Sequence, residues 1–342
     1  MRSLFIILPV LIATAHADEF ADFRNQYRTL RTAAGSGEKD NDNDWSPKME
    51  GKAATKADLS RPHMTMADAA GNLYIADKEA HAVRKVLTDG TIHTIAGTGK
   101  PGFSGDGKGT KCTLTFPNGL FAQPDGTLYI FDLGNDRIRR LDLQGNLTTI
   151  LHDREGIIIG RGLWVSPKGD VIYYCSNSRI RSWTPKDGIR TIASGFASLG
   201  NIDVDRKGQL YATDRGSGCA YRIKTDGTAV LIAGNGDEDG DGDGKLALET
   251  AMPGCRGIAL LDNGAYLLVT HAGGDVWYVD TKGIARHFIK GKGDGNLNKG
   301  DGEPLDKSGK KLSEPRAIVL APNEDLIITT NDSGYVRVVV RK

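Results

Sequence analysis

The chain has 342 residues and carries 44 Lys and Arg against 43 Asp and Glu. Its net charge of +1 supplies no global field to hold nucleic acid or an anionic membrane. With 44 glycines, 39% hydrophobic and 7% aromatic residues, the composition is globular and rich in turns, which excludes collagen and bulk disorder.

Residues 1–17 read as a signal peptide. Arg2 precedes an apolar run from Leu4 to Ala13, followed by the small-x-small site Ala15-His16-Ala17. No later segment approaches the ~20 apolar residues a membrane span requires. Residues 18–342 are therefore expected as one secreted or periplasmic, monomeric domain. In an oxidising compartment Cys112, Cys175, Cys219 and Cys255 could form up to two disulfides, in three possible pairings.

A short phrase then recurs six times, beginning at Gly71, Gly126, Gly169, Gly208, Gly264 and Glu324. Gly71-Asn-Leu-Tyr-Ile-Ala-Asp77 and Gly126-Thr-Leu-Tyr-Ile-Phe-Asp132 are the clearest copies; the third is taken to end at Cys175. Each is a β-branched and aromatic run opening at a turn residue, as a strand should. An apolar strand lies upstream of each, and turns such as Pro124-Asp-Gly126 make the pair a hairpin with glycine at a position needing positive φ. A third strand follows, as in Arg137-Ile-Arg-Arg-Leu141, and then a fourth, as in Leu147-Thr-Thr-Ile-Leu151. Four short strands per repeat make a propeller blade. The sixth unit runs out after its third strand, whereas residues 27–37 near the N-terminus match a fourth strand. The expected fold is thus an all-β, six-bladed β-propeller of four antiparallel strands per blade, with the N-terminal strand completing blade six and removing an exposed edge.

These residues resemble the NHL-repeat family of six-bladed propellers. The repeated G-x-L-Y-x-x-D phrase, the R-I-R third strands and Ala96-Gly-Thr-Gly-Lys-Pro-Gly-Phe-Ser-Gly-Asp-Gly107 carry the likeness. Blades five and six depart from it, with Thr270 and Thr330 where the phrase has Asp. The resemblance implies the fold; the family itself spans adhesion and sensor domains as well as enzymes such as peptide-amidating lyases.

In a propeller the innermost strands line a central channel, and the loops entering them gather on one face. Four of those connections are long (35–62, 98–117, 234–255 and 291–315) and two are short, at 152–160 and 194–199; long loops in compact domains tend to be functional. The residue ahead of each first strand is His63, Asn118, Arg161, Gly200, Arg256 or Arg316. Three converging arginines suit a carboxylate, sulfate or phosphate, although pairing with Asp77, Asp132 or Asp214 would account for them equally. His63 and His271 are candidate general bases or divalent-metal ligands, and His81 falls on the same face. Asp239, Asp241 and Asp243 alternate with glycine in a loop that could wrap Ca²⁺ or another divalent cation, without an EF-hand spacing. No G-x-S-x-G, P-loop or H-E-x-x-H motif is present. Two functional readings follow: a binding protein for another protein or an anionic glycan at the channel mouth, with no nucleic-acid partner, or a metal-assisted lyase or hydrolase acting on a carbohydrate or peptide.

Overall fold

Each repeat buries one β-branched and aromatic run between two neighbouring runs, and the result is six antiparallel meanders arranged around one channel. The computed structural model describes residues 18–37, 45–240, 242–271, 273–291, 300–305, 312–330 and 334–342, so the expected signal peptide lies outside the described residues. The innermost strands are Pro62–Ala67, Pro117–Ala122, Leu163–Val165, Leu199–Val204, Cys255–Leu260 and Pro315–Leu320. Hairpin glycines take the positive φ their turns require, as at Gly71 (87°) and Gly126 (92°); in blade six Glu324 adopts 64° instead.

The ring closes as the repeat arithmetic requires. Tyr27–Ala34 pairs antiparallel with Tyr335–Arg341, in a register that sets Leu30 opposite Val339 and Thr32 opposite Arg337. A short helix, Glu19–Asn25, continues the clasp onto blade five. Phe23 stacks on Tyr278 with ring centroids 4.6 Å apart, and the Glu19 carboxylate accepts from the Tyr278 hydroxyl (3.0 Å) and from Thr281 Oγ1 (2.9 Å).

The recurring polar positions of the repeat tie strands to loops. Asp77 accepts from the Ser60 amide (2.6 Å), Asp132 from Thr115 (2.7 Å) and Asp214 from Ser198 (2.7 Å), so the terminal Asp of the phrase holds the loop that enters its own blade. The third-strand arginines Arg84, Arg139, Arg181 and Arg337 are fully buried or nearly so and paired with Asp77, Asp132, Asp153 and Asp301 respectively. Tyr221 and Trp277 occupy the same register position in blades four and five.

The long connections prove to be edge covers. Lys52–Ala53 pairs with the outermost strand of blade one, Gly107–Lys108 with that of blade two, Leu246 bridges to Ile284 on blade five, and Pro304 to Thr29 on blade six. Each brings a carboxylate, from Glu50, Asp106, Asp243 or Asp301, that accepts a backbone N–H of the strand it covers. Covering an outer edge denies it to foreign strands.

One expectation is corrected. All four cysteines are free, buried thiols, and burial pushes the Cys175 and Cys255 thiols far up. They pack as small apolar side chains.

The clasp yields a stability test. Leu30 is fully buried between the first and last strands, so Leu30→Ala should cost about 2–5 kcal/mol in urea unfolding. A loss no larger than that of an exposed-site control would mean that the N-terminal strand does not close the ring.

Candidate functional site

Local backbone geometry builds the channel mouth. Five of the six inner strands carry a register shift near their first residues, between Pro62 and Thr65, Pro117 and Gly119, Leu199 and Ile202, Cys255 and Gly257, and Pro315 and Ala317. His63, Asn118, Gly200, Arg256 and Arg316 fall inside these irregularities, and Arg161 lies two residues ahead of its strand. The sequence placed these residues ahead of their strands; five of them are in fact strand residues at bulges, which re-aim side chains away from the alternating pattern.

Two residues before each of five mouth positions the backbone is left-handed: Arg61 (φ 57°), Phe116 (51°), Ile159 (47°), Gly254 (62°) and Glu314 (44°). For a β-branched residue such as Ile159 this conformation is costly, on the order of 1–3 kcal/mol. Ile159 nonetheless stays 45% exposed. His81, a candidate in the sequence, props this ring: its Nδ1 accepts the Phe116 amide at 3.2 Å and its imidazole packs on the Phe116 ring.

Neighbouring inner strands pack backbone against backbone around the ring. A Cβ on Gly119 would lie 2.3 Å from the Arg161 carbonyl oxygen, and one on Gly200 would lie 2.5 Å from that of Arg256. Thr213 Oγ1 donates to the same Arg256 carbonyl at 2.7 Å.

Arg161 is 4% exposed and Arg256 8%. Among the described residues, Arg161 Nη1 and Arg256 Nε and Nη1 have no hydrogen-bond acceptor. Burial, followed by repulsion from Arg316 and Arg215, pushes the Arg161 guanidinium down to about 9. His63 Nδ1 lies 2.9 Å from the Arg61 carbonyl, which fixes the ring proton on Nδ1. Burial and the charges of Arg161 and Arg316 hold this imidazole well below its usual value, so it is neutral at pH 7. Asn118 donates to the Gly160 carbonyl. Glu314 Oε2 lies 3.3 Å from Arg316 Nη2 and 2.7 Å from His271 Nε2.

The sequence candidates therefore divide. Mutual electrostatic influence places His63, Arg161 and Arg316 together, while His271 joins Arg316 through Glu314. Glu314 and Arg215 were missed, although one stands two residues before a mouth arginine and the other directly follows the Asp of its repeat. In the acidic loop, Asp243 accepts the His287 amide at 2.9 Å, Asp239 is exposed, and Asp241 lies outside the described residues. Among the described residues no three His, Cys, Asp or Glu side chains converge as a metal site.

This geometry is that of a six-bladed β-propeller with a cation-lined mouth. No known family profile matches the chain. Mouse teneurin-3 is 38% identical over 103 residues, 26% of this chain, which spans only 4% of that relative's length. Among solved structures, an auxiliary nutrient binding protein from Bacteroides thetaiotaomicron superposes with a TM-score of 0.67 at 12% identity, over 91% of this chain and 76% of that one. A streptogramin B lyase gives 0.56 at 14% identity, over 83% and 94%. At such identities these structures establish the fold alone. Among the described residues no helix is long and apolar enough to cross a membrane.

Two measurements probe the mouth. Arg161→Met removes a buried cation that makes no ion pair among the described residues, so the ligand-free protein should become more stable by about 1–4 kcal/mol. Added sulfate should raise the Tm of the wild type but not of the variant; a less stable variant would show that Arg161 has a neutralising partner. For His63 the folded value is depressed, so the unfolded chain gains a proton below about pH 6.5 that the folded chain refuses. Stability contributed by His63 is thus present above that pH and lost as the pH falls through it. Between pH 7.5 and 5 the wild type should lose about 1–2 kcal/mol more than His63→Gln, read from urea midpoints; equal losses would contradict the neutral assignment.

Proposed function

We propose that this chain is an exported propeller of the NHL-repeat type that binds a partner through an anionic group, the carboxylate or sulfate of a protein segment or glycan, seated at the loop-rich mouth. One observation carries this reading: Arg161 and Arg256 are more than nine-tenths buried and retain guanidinium nitrogens without an acceptor, and unlike Arg84, Arg139 and Arg337 they make no ion pair among the described residues. Leaving donors of a buried cation unsatisfied costs several kcal/mol. A planar, two-oxygen anion would offset that cost with charge-assisted bonds in the fork geometry arginine prefers. The leader-like residues 1–17 and the ligand-binding propeller among the structural neighbours support the same reading.

A second reading rests on the His271–Glu314 contact of 2.7 Å beside Arg316. A carboxylate-oriented imidazole next to a guanidinium can take a proton from carbon while the cation stabilises the developing charge, which is elimination chemistry. The likeness in fold to a streptogramin B lyase points in the same direction.

Arrays of sulfated and uronic-acid glycans and of acidic peptides, probed with residues 18–342, test the binding reading. Hits should carry carboxylate or sulfate and weaken with salt. The Arg161→Met/Arg256→Met double variant should lose at least about tenfold in affinity, or 1.4 kcal/mol. Unchanged binding of every hit by this variant would refute it. Mass spectrometry of each hit after incubation distinguishes the second reading, which requires a product that His271→Ala fails to make.

A further inference from the structure

The opposite end of the channel differs in chemistry. A cavity of about 420 Å³ opens there toward the hairpin turns of blades four and five, within the size range of small-molecule sites. Its walls include Met64, Met66, Phe121, Trp164 and Leu260. Phe121 meets Trp164 edge to face at 6.2 Å, and Trp164 stacks on Tyr173 at 5.5 Å, so the aromatic wall is held rigid. Half-buried Asp203 stands in this lining on an inner strand, with half-buried Asp205 and exposed Asp262 in the adjoining turns.

Asp203 is fixed by two backbone amides, those of Val204 (2.8 Å) and Leu260 (3.0 Å), which join neighbouring inner strands. Both are neutral donors, and no ion pair of Asp203 occurs among the described residues. The other charged groups lining the cavity belong to the turns. Asp205 accepts the amides of Lys207 (2.8 Å) and Gln209 (2.9 Å), and Arg206 pairs with Asp262. Lys207 is the remaining cation of the lining and is exposed. Burial pushes the Asp203 carboxyl up to about 6, leaving it ionised at neutral pH.

We propose that this lower cavity binds a small organic cation, an ammonium group on an aromatic or branched apolar body, with the cation against Asp203 and the body against Met66, Phe121 and Trp164. An ionised carboxylate inside an apolar pocket favours a cation over a neutral group of equal shape. Aromatic rings and thioethers suit both the cation and its hydrocarbon body. Two fixed amides hold the carboxylate in place before any ligand arrives, so little ordering cost remains for binding. This site is independent of the anion-binding mouth.

Calorimetry at pH 8 with phenethylamine and its neutral counterpart 2-phenylethanol provides the test, with four expected results. The amine binds about tenfold or more tighter than the alcohol. That preference shrinks as the pH falls through about 6, where Asp203 takes a proton and the amine keeps its own. Asp203→Asn, which retains an acceptor for one amide, removes the preference but not the alcohol's binding, whereas Trp164→Leu weakens both ligands. The Arg161→Met/Arg256→Met variant binds the amine like the wild type. Equal binding of amine and alcohol by the wild type at pH 8, a preference unaltered at pH 5, or no binding of either would overturn the proposal. Because the pH series uses the unaltered chain, it decides the matter even if the Asp203 variant fails to fold.

Discussion

Pairing of Tyr27–Ala34 with Tyr335–Arg341 is the contact on which both ends of the channel depend. Six blades of one meander each would form an open arc with two raw edges, and no position on it would be forced to face any other. Once the first and last strands share a sheet, the six inner strands must meet side by side. Backbone contact at Gly119 and Gly200 then sets the width of the channel. The clasp of Phe23, Tyr27 and Leu30 against Tyr278 and Phe288 is a hydrophobic joint between blades five and six. Its strength decides how firmly Arg256 and Arg316, which sit on those blades, are held near Arg161 on the far side of the ring.

The molecule treats buried arginine in two opposite ways. Arg84, Arg139 and Arg337 are each fully buried and each meets a carboxylate, so desolvation is offset by Coulomb attraction and hydrogen bonds. Arg161 is nearly as buried, yet the nearest charges that act on its guanidinium are those of Arg316 and Arg215. The paired arginines lie on third strands, whereas Arg161 stands ahead of a first strand. Leaving a buried guanidinium without an ion pair, as Arg161 is among the described residues, carries a cost of several kcal/mol at the mouth. Such costs collect where a ligand supplies what the protein omits.

Much of the architecture was legible because it repeats. Gly71, Gly126 and Gly208 recur at one turn position, the phrase after them alternates as a strand must, and the N-terminal residues match a missing fourth strand. Blade three shows the limit of that method. Its hairpin closes between Ser166 and Val171, one residue wider than Gln123 to Thr127 in blade two, so Ser176 rather than Cys175 ends the strand where Asp77 ends its own. Bulges were invisible because they break the period of two on which strand reading depends. The His271–Glu314 contact spans two blades, and no local pattern encodes it. The cysteines misled for a different reason: oxidising surroundings permit disulfides, but all four thiols are buried and unbridged, packed as small apolar side chains.

The unequal connections between blades now acquire a physical sense. Where a connection is long, its carboxylate is spent on an outer strand, as Asp106 is on Thr149 and Asp301 on Thr32. These carboxylates are thus engaged at outer strands, while Glu314, at the end of one such connection, reaches the mouth. Where the connection is short, at 152–160 and 194–199, the chain passes directly from one blade to the next. The first of these carries the exposed Ile158 and Ile159 beside Arg161, and the second carries Ser198, whose hydroxyl accepts from Arg215 Nε at 2.9 Å. The low side of the rim therefore adjoins Arg161 and Arg215, whereas Arg256 follows the long connection 234–255. On the proposed reading, an anionic partner approaches across blades three and four, where it meets an apolar step and then Arg161. At the mouth Glu314 is already engaged, 2.7 Å from His271 Nε2 of the neighbouring blade and 3.3 Å from Arg316 Nη2.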